Sequence, residues 1–237
     1  MRESPPAMGL AAKKLSALPS PSFDLEAAMM DRYQGPVAGI DEAGRGPWAG
    51  PVVIAAVILN PDRIPEGLND SKVLTPEMRA DRYEEIVATS LVSVIISPVK
   101  RIDRINILQA SLWGMRAAYR GLGVPLGSAL IDGNIIPRRF PCKARAVIGG
   151  DGLSLSVAAA SIVAKVTRDR LMVKLSRRYR RYAWDSNKGY GTPEHAEAIK
   201  KHGVCIHHRR SFSPIERALN LLHGGGELPL PEEAEQI

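Results

Sequence analysis

The chain has 237 residues, 45% of them hydrophobic, and a formal net charge of +7. That length supports one sizeable core with room for a small appended lobe, and the basic excess points to a polyanionic partner or an anionic membrane surface. The uncharged stretch Gly46 to Leu59 falls short of the ~20 residues that span a bilayer, so no transmembrane helix is expected. The two cysteines, Cys142 and Cys205, have neither disulfide-framework nor zinc-finger spacing, as expected of a cytoplasmic protein.

The opening "MRESPPAMGLAAKKLSALPSPSF" is rich in Pro and Ser, and residues 1–34 read as a flexible tail. Val37 to Asp41 alternates small and apolar residues as a strand does, and Pro51 to Leu59 is a nearly continuous apolar run suited to a buried strand. Thr75 as N-cap and Pro76 at the first helical position start a helix over "TPEMRADRYEEIVA". A strand is expected at Leu91 to Ser97, then a helix from about Asp103 to Tyr119. "SALIDG" and "KARAVIGG" each predict a short strand stopped by glycine. A long helix runs from Ser154 to roughly Arg181, where "VAAASIVA" suits close packing on a sheet. After the turn-forming "DSNKGYGTP", helices are expected at Pro193 to His202 and Pro214 to Leu222. The closing "GGGELPLPEEAEQI" has the composition of a disordered tail, 224–237. Strands come first and helices gather at the end, which predicts an α/β fold: a mixed β-sheet flanked by helices, with a helical C-terminal region and one main domain over 35–223.

Two strands end alike. "AGIDE" (38–42) and "ALIDG" (129–133) both close in Ile-Asp with glycine soon after, so neighbouring strands would set Asp41 and Asp132 side by side at one sheet edge. Two anions that close require a proton or a cation between them. A third carboxylate, Asp169, shares a helical stripe with Ile162, Val166 and Val173 and is expected to face inward. A salt bridge to Lys165, one turn earlier, would explain Asp169 alone; three such carboxylates on separate segments point instead to a hard divalent cation. Adjacent strand residues point to opposite faces, so whether Glu42 joins Asp41 depends on a bulge or on the glycines that follow.

Lys165 to Arg181, "KVTRDRLMVKLSRRYRR", carries eight basic residues against Asp169, a local charge of +7. Beside a candidate metal site this helix reads as a track for a phosphate backbone. "NKGYG" and "HRRSF" mix cations, hydroxyls and an aromatic, as a nucleic-acid groove would. Clustered carboxylates with metal make the reaction hydrolysis or transfer at phosphorus, two ions activating water and stabilising the leaving oxygen. No phosphate-binding loop or dinucleotide fingerprint is present. "CIHH" (205–208) lacks zinc spacing, and His195 and His202 read as solvated residues of a surface helix.

These motifs are similar, in kind and in order, to those of bacterial ribonuclease HII: "GIDEAGRGPWAGPVV", "LNDSK", "IDGN", "SLSVAAASIVAKVTRDRLM", "NKGYGTPEH" and "HRRSF", over roughly residues 36 to 220. The resemblance implies an RNase H-like fold and a Mg²⁺- or Mn²⁺-dependent enzyme with two ions per site. Its substrates would be the RNA strand of RNA/DNA hybrids and single ribonucleotides in duplex DNA, cut on their 5′ side to leave a 3′-hydroxyl, in ribonucleotide excision. By the same resemblance Asp41, Glu42, Asp132 and Asp169 are metal ligands. Gly44, Arg45, Gly46 and Tyr190 read the ribose 2′-hydroxyl, and Lys72, Arg209, Arg210 and Ser211 contact substrate phosphates; Lys165, on the basic helix, is expected to bind substrate as well. Trp48, Trp184–Asp185 and Ile206–His207 depart from the usual pattern. The short segment before Asp41 and the arginine in the triplet favour type 2 over type 3. A monomer without membrane association is the simplest expectation. Two other readings are a non-catalytic nucleic-acid-binding module, which leaves the acidic cluster unexplained, and a DNA-directed nuclease of the same fold, which leaves the glycine-arginine-glycine triplet without a purpose.

Overall fold

Two apolar segments build the centre of the sheet. β1 (Val37–Ala43) pairs antiparallel with β2 (Val52–Ile58), all seven of whose residues are buried. This is the pattern of a strand covered on both faces. In the computed structural model, which describes residues 20–124 and 127–224, three more strands complete the sheet: β3 (Leu91–Ser97), β4 (Ser128–Asp132) and β5 (Lys143–Val147). The order is β3-β2-β1-β4-β5, antiparallel from β1 outward through β2 to β3 and parallel from β1 through β4 to β5. The expected mixed sheet is therefore present.

Helices cover both faces. The helices are α1 (Asp24–Tyr33), α2 (Pro76–Thr89), α3 (Val99–Ile105), α4 (Ile107–Gly121), α5 (Leu155–Ser176), α6 (Trp184–Asn187), α7 (Pro193–His202) and α8 (Ser213–Gly224). On one face Val53, Ala55 and Val57 pack with Ile86 of α2 and with Ala158, Ile162 and Val166 of α5. On the other, Ile40, Ile54 and Ala56 pack with Ile102 of α3 and Ala110, Met115 and Ala118 of α4. The small residues of "VAAASIVA" let α5 lie directly on the sheet. A Cβ at Gly39 would stand 2.0 Å from the Ser156 carbonyl carbon, so only glycine admits this crossing. A third cluster, with Met172, Tyr182, Trp184, Ile199 and Ile215, forms the helical C-terminal region.

Three expectations change. The segment 24–33, read as flexible tail, is α1, and its Glu26 is fully buried. Glu26 accepts hydrogen bonds from Ser154 Oγ (2.6 Å), Ser156 N (2.7 Å) and Ser156 Oγ (2.6 Å), so a carboxylate satisfies the first turn of α5. Its partners lie some 128 residues away, which no local pattern reveals. The single helix expected over Asp103 to Tyr119 is two, broken at Asn106 (φ 64°), whose side chain caps α4 by accepting from Gln109 N at 3.0 Å. α5 stops at Ser176, because Tyr182 turns back into the third cluster and donates to the Gly203 carbonyl at 2.8 Å. The remaining expected tails, 1–19 and 225–237, lie outside the described residues. No described helix is long and apolar enough to cross a membrane.

Candidate active site at the carboxyl ends of β1 and β4

The register of β1 on β4 pairs Ile40 with Ile131, so Asp41 and Asp132 follow side by side at the carboxyl edge of two parallel strands. Gly39 meets α5, and by the two-residue alternation Asp41 falls on the same face; Ile40, and by the same count Glu42, belong to the other. No bulge intervenes, since β1 keeps its pairing with β2 through Ala43. Both carboxylates nevertheless respond to Asp132. Burial, then Glu42 and Asp132, raise the Asp41 carboxyl well above its ordinary range. Burial also raises Glu42, against the pull of Arg45, whose Nη1 lies 3.2 Å from Glu42 Oε1. Glu42 Oε2 is buried with no hydrogen-bond partner.

A fourth carboxylate joins them that the sequence reading passed over. Gly150 N donates to Asp132 Oδ1 at 2.8 Å, bringing the one-turn helix Gly150–Gly152 against the strand end, and this turn carries Asp151. Asp151 is largely buried, and burial together with Asp70 and Asp132 pushes its carboxyl up to about 6. Lys72 Nζ stands 3.7 Å from Asp151 Oδ2 and 4.0 Å from Asp70 Oδ2. Burial works against that ammonium, but Asp70, Asp151, Asp41 and Asp132 together raise its pKa. The strand-ending glycines of "KARAVIGG" were the available signal: they turn the chain back over Asp132.

Asp169, expected as a metal ligand, has a partner of its own. It is half-buried on α5, is held by Lys165 Nζ at 3.0 Å, and is not among the principal charges acting on Asp41, Glu42 or Asp151. The apolar stripe that carries it turns outward past Val166, for Val173 is 37% exposed. Lys165 and Asp169 line a trough of about 730 Å³ with Arg79, Arg170, Lys174, Arg177 and Lys188.

The loop from Gly44 to Pro51, which carries the glycine-arginine-glycine triplet, is held by two buried arginines, of which Arg209 bonds the triplet itself. Arg209 Nη1 donates to the Arg45 carbonyl at 2.7 Å, Nη2 to the Gly44 carbonyl, and Nε to the Gly50 carbonyl at 3.0 Å. Arg168 Nε donates to the Pro51 carbonyl at 3.1 Å and Nη2 to the Ala49 carbonyl at 3.2 Å. Arg209, expected to bind phosphate, is fully buried and gives its guanidinium to the backbone carbonyls of the loop. Arg168, counted above in the basic face, is likewise 1% exposed. The carbonyl and N–H of a trans peptide point opposite ways, so with the Gly44 and Arg45 carbonyls drawn inward, the amides of Arg45 and Gly46 face away from Arg209. Both residues are exposed, and neither amide has a protein acceptor among the described residues. Tyr190 borders them, 44% exposed, its Cε1 3.8 Å from where a Gly46 Cβ would be. Ser211 donates through both N (3.0 Å) and Oγ (2.8 Å) to Asp103, while Arg210 is exposed.

Among the described residues no group of three or more His, Cys, Asp or Glu side chains is arranged to hold a metal ion. The donor chemistry still fits a hard cation: oxygen ligands only, burial and neighbouring charge that raise the Asp41, Glu42 and Asp151 carboxyls, and a buried carboxylate oxygen left without a partner.

A mixed sheet with carboxylates at the ends of neighbouring parallel strands is the arrangement of a nuclease of the ribonuclease H type, and similarity to known proteins places it more narrowly. Residues 38–215 match the family Ribonuclease HII, and the chain belongs to that family. It is 51% identical over 214 residues to a Ribonuclease HII of Xanthobacter autotrophicus, covering 90% of this chain and 84% of that one. It is 52% identical over 199 residues to one of Agrobacterium fabrum, covering 84% and 91%. Among solved structures it resembles ribonuclease H2 from Pyrococcus horikoshii, with 28% identity, a TM-score of 0.68, and 80% of this chain and all of that one covered. It also resembles the Archaeoglobus fulgidus RNase HII solved in complex with PCNA, with 27% identity, a TM-score of 0.66, and 76% and 96% covered. The protein is thus a type 2 ribonuclease H, a hydrolase whose family acts on RNA/DNA hybrids.

Proposed function

We propose that the enzyme is a Mg²⁺- or Mn²⁺-dependent endonuclease that cuts the RNA strand of hybrids and also cuts 5′ to single ribonucleotides in duplex DNA. The products are a 3′-hydroxyl and a 5′-phosphate, and the cellular role is ribonucleotide excision by a cytoplasmic monomer. The observation that carries this reading is the buried Asp41, whose carboxyl is raised by burial and then by Glu42, Asp132 and Asp151, beside a Glu42 Oε2 without a hydrogen-bond partner and two free loop amides. These four carboxylates would hold the ions, two per site. Bound there, divalent cations supply the charge that activates water and stabilises the leaving oxygen.

The chain's own residues do the rest. The Arg45 and Gly46 amides and the Tyr190 ring form an edge that accepts a sugar oxygen at close range, and the ribose 2′-hydroxyl is the group that separates RNA from DNA. Lys72, 81% exposed at its side chain yet tethered to Asp70 and Asp151, offers an ammonium to the phosphate beside the carboxylates. The trough with Arg170, Lys174 and Arg177 holds the backbone further along.

The test pairs a DNA duplex containing one ribonucleotide with an all-DNA duplex, each with Mg²⁺, Mn²⁺ or chelator. A metal-dependent cut on the 5′ side of the ribonucleotide, and none in the control, is the expected result. Equal cutting of both duplexes would make it a DNA nuclease, and binding without cutting a non-catalytic module.

A further inference from the structure

The "CIHH" and "GTPEH" motifs, idle in the mechanism above, meet in one buried network. His195 is fully buried and His208 nearly so, a correction to the solvated reading of His195. Their tautomers follow from their partners. His195 Nδ1 is 2.8 Å from the Tyr190 carbonyl, which only accepts, so Nδ1 carries the proton. Trp184 Nε1, which only donates, points at His195 Nε2 from 3.2 Å, so Nε2 is bare. Cys205 N donates to His208 Nδ1 at 3.0 Å; the His208 proton is therefore on Nε2, directed at His195 Nε2 at 3.1 Å. Both ring nitrogens of His195 are thereby engaged, the single lone pair of Nε2 being shared between the Trp184 and His208 donors.

Two of the residues that depart from the family pattern complete this arrangement. Trp184 is fully buried and supplies the donor to His195. Trp48 has its ring centroid 5.9 Å from that of His195 and lies over Gly191, where a Cβ would be 2.2 Å from the indole. The Trp48 and Ala49 amides donate to the Gly189 carbonyl at 2.8 and 3.2 Å. The turn bearing Tyr190 and the loop after Gly46 thus form one body, with His195 beneath it.

We propose that His195 is a positioning residue for ribose recognition: its Nδ1–H fixes the Tyr190 backbone and thereby sets the exposed phenol ring against Gly46. This rests on the reading of Tyr190 as a contact to the 2′-hydroxyl. The ring of His195 touches no substrate; it acts through the Tyr190 carbonyl.

Two substitutions separate this role from simple packing. His195→Asn keeps a donor where Nδ1 stands but loses the acceptor for Trp184 and His208; His195→Gln keeps a polar group where Nε2 stands but loses the donor to Tyr190. For each, hydrogen exchange of the Thr192 amide, which is bonded to the Tyr190 carbonyl, is followed beside kcat/KM on a single-ribonucleotide duplex and on a long hybrid. The proposal expects His195→Gln to speed that exchange and to lower the single-ribonucleotide value about 10-fold relative to the hybrid, with His195→Asn within about 2-fold on both counts. Packing alone predicts the reverse order, since Gln is nearer to His in size, and that order would overturn the proposal, as would unchanged exchange in His195→Gln. Tyr190→Ala serves as the control. If it leaves the substrate ratio unchanged, the reading of Tyr190 falls and the proposed effect on recognition falls with it. If Tyr190→Ala shifts the ratio and His195→Gln does not, His195 alone is refuted.

Discussion

Lys165 Nζ lies 3.0 Å from Asp169 Oδ1, one helical turn away, and this pair accounts for a carboxylate that would otherwise compete for a place in the metal set. Asp151 has no such dedicated partner: Lys72 approaches it only to 3.7 Å and is largely exposed. Asp151→Asn is therefore expected to lower kcat by roughly 100-fold or more, and Asp169→Asn by less than about 10-fold. Steady-state rates for the two variants at saturating Mg²⁺ decide between them, and equal losses would restore Asp169 to the site.

Asp41 sits at the centre of the repulsion. Asp41→Asn keeps the side-chain shape and removes one negative charge, so cleavage is expected to vanish while hybrid binding persists. A gel-shift titration beside a cleavage assay checks this; near-normal turnover would remove Asp41 from the mechanism.

Metal binding should also release protons. Asp41 and Glu42 are raised by burial first and by neighbouring carboxylates next, and Asp151 is raised to about 6. A cation displaces those protons, so affinity should climb as pH rises through about 6. Calorimetric titration of Mg²⁺ in two buffers of different ionisation enthalpy measures the release directly, and identical heats in both would contradict it.

Gly44 has φ +93°, and a Cβ there would stand 1.9 Å from Arg168 Nε. Gly44→Ala must strain the loop or displace the buried guanidinium, at a cost of about 1–3 kcal/mol. The expectation is a lower Tm together with poorer discrimination between a single-ribonucleotide duplex and all-DNA. An unchanged Tm would show that the arginine yields freely.

The histidine network sets an acid limit. Burial, then the neighbouring His195, depresses His208 from 6.5 to about 3, and burial lowers His195 as well. His207, Arg178, Arg181, Cys205 and Tyr182 are the other ionisable groups around this cluster, and none offers His208 a carboxylate. The unfolded chain binds these protons first, so the stabilisation is complete above about 6.5 and is lost as pH falls toward 3. Chemical denaturation between pH 7.5 and 4.5 should show stability falling, with a shallower slope in a variant lacking His208.

Much of this molecule was legible in one dimension. A nearly continuous apolar run marked β2, Thr75–Pro76 marked the start of α2, and the repeated Ile-Asp endings with glycine soon after put Asp41 and Asp132 at a shared edge on condition that their strands were neighbours, which the register of β1 on β4 meets. These features depend on neighbours two to four residues apart, where backbone sterics and side-chain alternation act. Only the tertiary structure brings the Asp151 turn against Asp132. Periodicity assigns Asp169 to a face of α5 but cannot say where α5 leaves the sheet, and it says nothing of the turn that returns Asp151 to Asp132 through the Gly150 amide. The same holds for Glu26 beneath α5, Arg209 beneath Gly44 and His195 beneath Tyr190. Each is a polar group whose partners are backbone or buried atoms, several of them more than a hundred residues away, and burial of such a group is settled only when the chain has closed around it.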